Sequence, residues 1–234
     1  MHFVLGLDGD VKVRSGGSGR WVKAAGVLTA ADAVHAIDAR GTQVLLVFLD
    51  PESDLGAALA PTIVGSFRRL SRDQCATLAR DATPGALERG EGLVWSRRAM
   101  RTLGDPHRPT PLRPIHPRVR KVLRLLRAGA AKNGTSLDAL ARAVALSPGR
   151  LIHVFTQSIG IPLRPYLAWL KLQRSAGALV AGATLSDAAI AAGFSDAAHM
   201  TRTFRRMFGV PPSVLRVPPP APAGLTPGRS KSAS

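Results

Sequence analysis

Between Leu137 and Pro211 the chain writes one helical plan twice. The first copy reads LDALARAVALSPGRLIHVFTQSIGIP from Leu137, and the second reads LSDAAIAAGFSDAAHMTRTFRRMFGVP from Leu185. The offset is 48 residues before an internal turn and 49 after it, because the second copy carries one extra residue there. Each copy holds a short helix, a tight turn, a Ser or Asp helix start and a second, amphipathic helix. Each ends Phe-x-x-x-x-Gly-(Ile/Val)-Pro, at Phe155–Pro162 and at Phe204–Pro211. A segment built this way is confined to bent pairs of helices.

Each position in the plan has a physical reason. Ala141 and Ala189 are small where two helices cross closely. Ala145 and Gly193 sit at the turn, where a bulky residue is strained and glycine accepts a positive φ. Ser147 is placed to cap the next helix, with Pro148 at its first position, where no amide donor is needed. Asp196 suits the positive end of a helix dipole. Leu151, Val154 and Phe155, like Met200, Phe204 and Phe208, form a stripe for burial. Arg150, His153 and Gln157 lie on the opposite face of one helix, and Ala198, His199, Arg202 and Arg206 on that of the other. This is the helix-turn-helix pattern, written twice.

Charge divides the chain at a proline-rich stretch. The segment LGDPHRPTPLRPIHP, 103–117, has five prolines in fifteen residues, which excludes a helix or a central strand. Before it, residues 1–103 carry 13 Lys+Arg and 11 Asp+Glu; after it, residues 104–234 carry 19 and 4, with no Glu. A near-neutral half joined to a half of net +15 implies that the second half meets a polyanion. The expected organisation is an α+β domain over 1–103, a linker over 104–116, an all-α domain over 117–216 and a disordered tail over 217–234. Helical periodicity places helices at about 117–132, 136–144, 147–158, 163–181, 186–192, 196–208 and 211–216.

The stretches LSPGRLIHVF, GIPLRPYLAWLKLQRSAGAL and IAAGFSDAAHMTRTFRRMFGVPPSVLR resemble the DNA-binding domain of the AraC/XylS family of transcriptional regulators. The likeness covers about 117–216 and implies two helix-turn-helix units held by a linker helix at about 163–181. It implies two recognition helices entering successive major-groove segments, about 34 Å apart. Carried over by position, the base-facing residues are Gly149, Arg150, Ile152 and His153 in the first helix and Ala197, Ala198, His199 and Arg202 in the second. Gly149, Ala197 and Ala198 offer no side-chain hydrogen bond, so direct readout rests on Arg150, His153, His199 and Arg202. Arg164, Lys171, Arg174, Arg205 and Arg206 read as phosphate contacts, with simple solvation an equal alternative for Arg205 and Arg206. The implied function is a sequence-specific regulator, an activator before a repressor. Double-stranded DNA is the expected partner, joined by RNA polymerase, an unidentified effector in the first half, and a second copy of the chain through that half.

The first half gives weaker signals. RWVKAAGVLTA and AVHAIDARGTQVLLVFLD read as strands, with Val44–Leu49 apolar throughout, as in a strand buried on both faces. A helix opens at Ser53 or Asp54, and others are expected around 71–81 and 84–103. The stretch WVKAAGVLTAADAVHAIDARGTQVLLVFLDPES resembles the cupin-like sensor half of some family members, although about 100 residues are short for a complete barrel. His35 lies where a cupin places a metal ligand, yet no His-x-His or Glu precedes it, and it reads as a half-buried histidine. Cys75, near Arg72 and Arg80 in sequence, is either a sensor thiol or a core-facing side chain, and the second reading is preferred. A single cysteine excludes an internal disulfide and fits a reducing cytoplasm. No stretch is apolar enough to span a membrane. Catalytic residues, metal and cofactor are not expected. Two other classes stay open: a metal-dependent cupin enzyme with an accessory DNA-binding part, and an architectural protein that binds DNA without sequence preference.

Overall fold

The computed structural model describes residues 1–80, 82, 92–104, 114–129 and 136–215. Most of the proline-rich stretch, the tail, the start of the helix expected at 84–103 and the end of that expected at 117–132 lie outside the described residues.

The first half is β-rich. Strands β1 (His2–Gly6), β4 (Gly26–Thr29), β6 (Val44–Phe48) and β7 (Phe67–Leu70) form an antiparallel sheet in the order β6-β1-β4-β7. Strands β2 (Val11–Ser15), β3 (Val22–Ala24) and β5 (His35–Asp38) form a second, in the order β3-β2-β5. Side chains alternate across a strand, so β1 divides two cores. Phe3 and Leu5 join Val47, Leu49, Leu70 and helices α1 (Asp54–Leu59), α2 (Arg72–Ala79) and α3 (Gly92–Leu103), while Val4 turns to the other side with Val11, Val13 and Ile37.

The apolar run at Val44–Leu49 proves to be an edge strand, paired among the described residues with β1 alone. Leu45, Val47 and Leu49 face one core and Val44, Leu46 and Phe48 the other. Helices covering both faces, not a central place in the sheet, explain its continuous hydrophobicity. Strands β4, buried at every residue, and β1, buried at all but Gly6, lie deeper than β6, and sequence patterning did not mark β1. Local signals did place the helix starts: Ser53 Oγ accepts from Gly56 N at 3.1 Å, and Ser71 and Gln74 form a capping box. Cys75 is buried, and burial pushes its thiol up to about 11 despite the opposing charge of Arg72. An inert core cysteine fits better than a sensor thiol.

The second half is helical: α4 (Pro117–Arg127), α5 (Leu137–Ala143), α6 (Pro148–Ile159), α7 (Leu163–Val180), α8 (Leu185–Ala192) and α9 (Ala197–Phe208), then a short 3₁₀ turn at Pro212–Leu215. The starts are capped by Ser136, Ser147, Thr184 and Asp196, each side chain accepting an amide of the first turn.

The two halves share a core. Phe208 is fully buried, with its ring centroid 4.7 Å from Phe48, 5.6 Å from Trp169, 5.2 Å from His2 and 4.6 Å from Phe204. Ile37 N donates to Gly209 O at 3.0 Å, stitching β5 to the end of α9. Gly209 has φ 72°, and a Cβ there would lie 2.9 Å from Ile37 N, so the approach requires glycine. Beside this joint, Asp50 and Glu52 grip the helices. Arg127 lies 2.9 Å from Glu52 and 3.5 Å from Asp50, and the Tyr166 hydroxyl donates to Glu52. Trp169 Nε1 and Gln173 Nε2 donate to Asp50 at 3.2 and 3.1 Å. His35, expected to be half-buried, is only 4% exposed. Its Nδ1–H donates to Ala33 O at 2.8 Å, and its ring centroid stands 5.1 Å from that of His2. Packing at the joint accounts for its burial.

Candidate nucleic-acid interface

Helices α6 and α9 are built alike. In α6, Leu151, Val154, Phe155 and Ile159 are buried. Gly149, Arg150, Ile152, His153 and Gln157 are exposed on the other side. Ile152, at 42% exposure, is an apolar side chain left facing outward. Nothing lies within 4 Å of a Cβ placed on Gly149, so that surface is open. In α9, Met200, Thr203, Phe204 and Phe208 are buried, while Ala198, His199, Arg202, Arg205 and Arg206 are exposed. Ala197 differs from its neighbours: it is half-buried and packs against the core.

The turn before each of these helices carries one left-handed residue at its centre, Ala145 with φ 51° and Gly193 with φ 82°. Alanine at the first is the more strained choice. Asp196 Oδ1 accepts His199 N at 2.6 Å, and its Oδ2 accepts the Ser195 hydroxyl at 2.9 Å. The His199 amide and then Ser195 hold the Asp196 carboxyl below the usual range. It therefore stays ionised at the start of α9. The His199 ring is steadied by Ser195 Oγ, 3.1 Å from Nδ1, and by edge-to-face contact with Phe194 at 5.4 Å.

The five cations expected at phosphates divide into two groups. Arg164, Arg205 and Arg206 are exposed. Arg164 and Arg206 also line a small cleft of about 240 Å³ between the halves, together with Asp32 and Trp169. Lys171 and Arg174 turn inward instead. Lys171 Nζ donates to Gly193 O at 2.6 Å, and Arg174 Nη2 donates to Leu126 O at 2.9 Å. Both are half-buried, and each bonds a backbone carbonyl of the protein itself. Arg118, which the sequence pattern did not single out, acts similarly, with Nη1 donating to Ala145 O at 2.9 Å. The signal that could have found it is the unpartnered carbonyl of a left-handed turn residue.

Among the described residues, no group of three or more His, Cys, Asp or Glu side chains is arranged to hold a metal ion. Nor, among them, is any helix long and apolar enough to cross a membrane.

Comparison with known proteins agrees with this geometry. Residues 140–217 match the family described as Helix-turn-helix domain. The arabinose operon regulatory protein of Escherichia coli (strain K12) is 32% identical over 107 residues, which make up 44% of this chain and 36% of that protein. The chain therefore matches little more than a third of that relative's length. A transcriptional regulator of Chromobacterium violaceum, described as an AraC-type DNA-binding domain-containing protein, is 27% identical over 43% of this chain and 89% of its own, with a TM-score of 0.40. ToxT from Vibrio cholerae O395 aligns over 91% of this chain and 86% of its own, with a TM-score of 0.50 at 11% identity, a likeness of fold alone. Two left-handed turns, two capped amphipathic helices and the arabinose-regulator match converge on one statement: the helical half of this chain contains a helix-turn-helix domain and is similar to part of the arabinose operon regulatory protein.

Proposed function

We propose that the protein is a sequence-specific, double-stranded-DNA-binding transcriptional regulator that inserts α6 and α9 into successive major-groove segments. The observation that carries this reading is the pair of matched helices, each burying one stripe and exposing a polar or cationic face, within a half of net charge +15. Arg150, His153, His199 and Arg202 are assigned to base edges, with Gly149, Ile152, Ala197 and Ala198 as neighbouring apolar surface. Ala198 and Ile152 suit thymine methyl groups, whereas the half-buried Ala197 has less to offer. Arg164, Arg205 and Arg206 are assigned to phosphates. The division into a first half, 1–103, and a reading half, 117–216, is supported by the charge asymmetry and the β-rich first half, and the sensor role of the first rests on the family resemblance. A regulator of this kind works in the cytoplasm. Activation through RNA polymerase and pairing of two copies through the first half rest on the family resemblance.

An effector site is supported by a cavity of about 640 Å³ between the halves, lined by Ala57, Ile63 and Glu52 on one side and by Ile115, Arg120 and Ile161 on the other. Its volume falls in the range of small-molecule sites. A ligand there would touch both halves.

Arg202→Ala tests the assignment. Loss of a bidentate contact to guanine should weaken binding to a site selected from random duplexes by about 5- to 150-fold, corresponding to about 1–3 kcal/mol. Binding to unrelated duplexes should change little. Gel-shift competition measures both. Equal discrimination by the variant and the parent removes Arg202 from base readout. A parent protein that binds all duplexes alike, with a steep salt dependence, is an architectural binder instead.

A further inference from the structure

The two turns of the repeat are held in the same way by cations from outside their own motifs. Ala145 O accepts from Arg118 Nη1 of α4, and Gly193 O accepts from Lys171 Nζ of α7. Ala145 and Gly193 stand 48 residues apart, the offset of the repeat itself, so the gripped carbonyl is the same one in both copies. Lys171 Nζ also lies 5.6 Å from the centroid of the Phe194 ring, the residue that follows the second turn. A third cation ties the two supporting helices together: Arg174 Nη2 donates to Leu126 O, in the last turn of α4, a carbonyl that also accepts Gly129 N at a longer 3.4 Å. Lys171 and Arg174 are three residues apart and share a face of α7.

We infer that Arg118, Arg174 and Lys171 form a chain of cation–carbonyl links, from the first turn through α4 and α7 to the second, which fixes the distance and rotation between α6 and α9 and so the half-site separation that the protein accepts. These are positioning residues, and in this arrangement they touch no DNA. Charge-assisted bonds to carbonyls are stronger than neutral ones, and the Lys171 and Arg174 bonds are partly shielded from water. Each link also fixes an angle, because the carbonyl belongs to a rigid turn or helix end. Apolar packing between α7 and its neighbours holds the helices together but allows small rotations. A rotation of α9 by a few degrees displaces Arg202 relative to Arg150, which two half-sites on one duplex read directly as a change in their separation.

The inference rests on the DNA-binding reading, and two measurements keep them apart. In the first, the full chain and its Arg174→Met variant each select duplexes from a random pool. The parent should recover two half-site sequences at one separation, preferred by about tenfold, the discrimination that a misplaced base pair carries. The variant should recover the same two sequences with that preference lost over neighbouring separations, and Arg174→Lys should restore it. A variant that keeps the single separation and merely binds less tightly overturns the inference. So does one that loses a half-site sequence outright. In the second measurement, nitroxide labels on Gln157→Cys and Arg205→Cys report the α6–α9 distance without DNA, Cys75 being buried and silent. A narrow distribution that broadens in Arg174→Met supports the links, and an unchanged width overturns them. If the parent selects no sequence, the DNA reading fails while this distance still decides on the links. Lys171→Met replaces Arg174→Met in both measurements if the latter fails to melt cooperatively.

Discussion

Phe208→Ala should destabilise the protein by about 3–5 kcal/mol, the usual range for truncating a fully buried phenylalanine. A domain has about 5–15 kcal/mol in total, so the variant would be close to its unfolding threshold at body temperature. The magnitude follows from the ring's position. Four aromatic rings surround it, and they come from both halves: His2 and Phe48 from the strands, Trp169 and Phe204 from the helices. Collapse of the cavity is hindered because the Ile37–Gly209 backbone bond holds β5 against the end of α9. The loss should therefore appear on both sides of the joint. Urea unfolding gives the size, and hydrogen exchange gives the location, with faster exchange expected over 35–48 as well as over 197–208. Leu78→Ala is the reference, since Leu78 is equally buried but lies in the other core, on the inner face of α2. It should cost about 2–5 kcal/mol and leave exchange in α9 unchanged. Faster exchange confined to the helical half in Phe208→Ala would show that the joint carries little energy.

That joint is what sequence reasoning did not see, and the reason is physical. The helices of the second half are legible because their causes are local: a cap at Ser147 with Pro148 behind it, a left-handed stop at Gly209, a buried stripe every three or four residues. Exposed Arg150, His153, His199 and Arg202 follow from the same periodicity. Nothing local marks Asp50 and Glu52 as more than the opening of a turn, because their partners Arg127, Tyr166, Trp169 and Gln173 lie more than 70 residues away. The carbonyl bonds of Lys171 and Arg174 are illegible for a related reason. Angular position on α7 suggests an outward cation, but a long flexible side chain can bend back to a backbone carbonyl, and which carbonyl is near depends on how α4 and α8 dock. Strands were harder still. Phe67–Leu70 reads FRRL, too short and too basic to show alternation, and it is recognisable only by its pairing with β4.

Acidification should weaken the same joint, by an amount second only to the Phe208 truncation. His2 and His35 are both buried against it, and burial holds each below the usual histidine range, helped for His2 by the neighbouring His35 and opposed for His35 chiefly by the Ala33 carbonyl. An unfolded chain protonates its histidines around pH 6.5. Between that pH and their lowered folded values, the unfolded state binds more protons than the folded one, so stability is complete above about pH 6.5 and falls as pH drops. Each histidine contributes a slope of up to about 1.4 kcal/mol per pH unit, about 2.7 for the pair. The Met1 amino group, pushed down by burial to about 5, acts in the same sense starting nearer pH 8. Glu52, whose carboxyl burial pushes up, acts in the opposite sense, gaining stability as it takes up a proton in the fold. Comparing urea midpoints of the parent and of His2→Gln/His35→Gln between pH 7.5 and 5.5 isolates the histidines, because Met1 and Glu52 contribute to both curves. The parent should lose stability more steeply below pH 6.5, by as much as two protons' worth of slope, and parallel curves would show that the rings are not held neutral. Since the His2 ring lies against Phe208 and the His35 ring beside Gly209, at the foot of α9, any loosening they cause is delivered to the helix that carries His199 and Arg202, and specific DNA binding should weaken over the same pH interval as the midpoint falls.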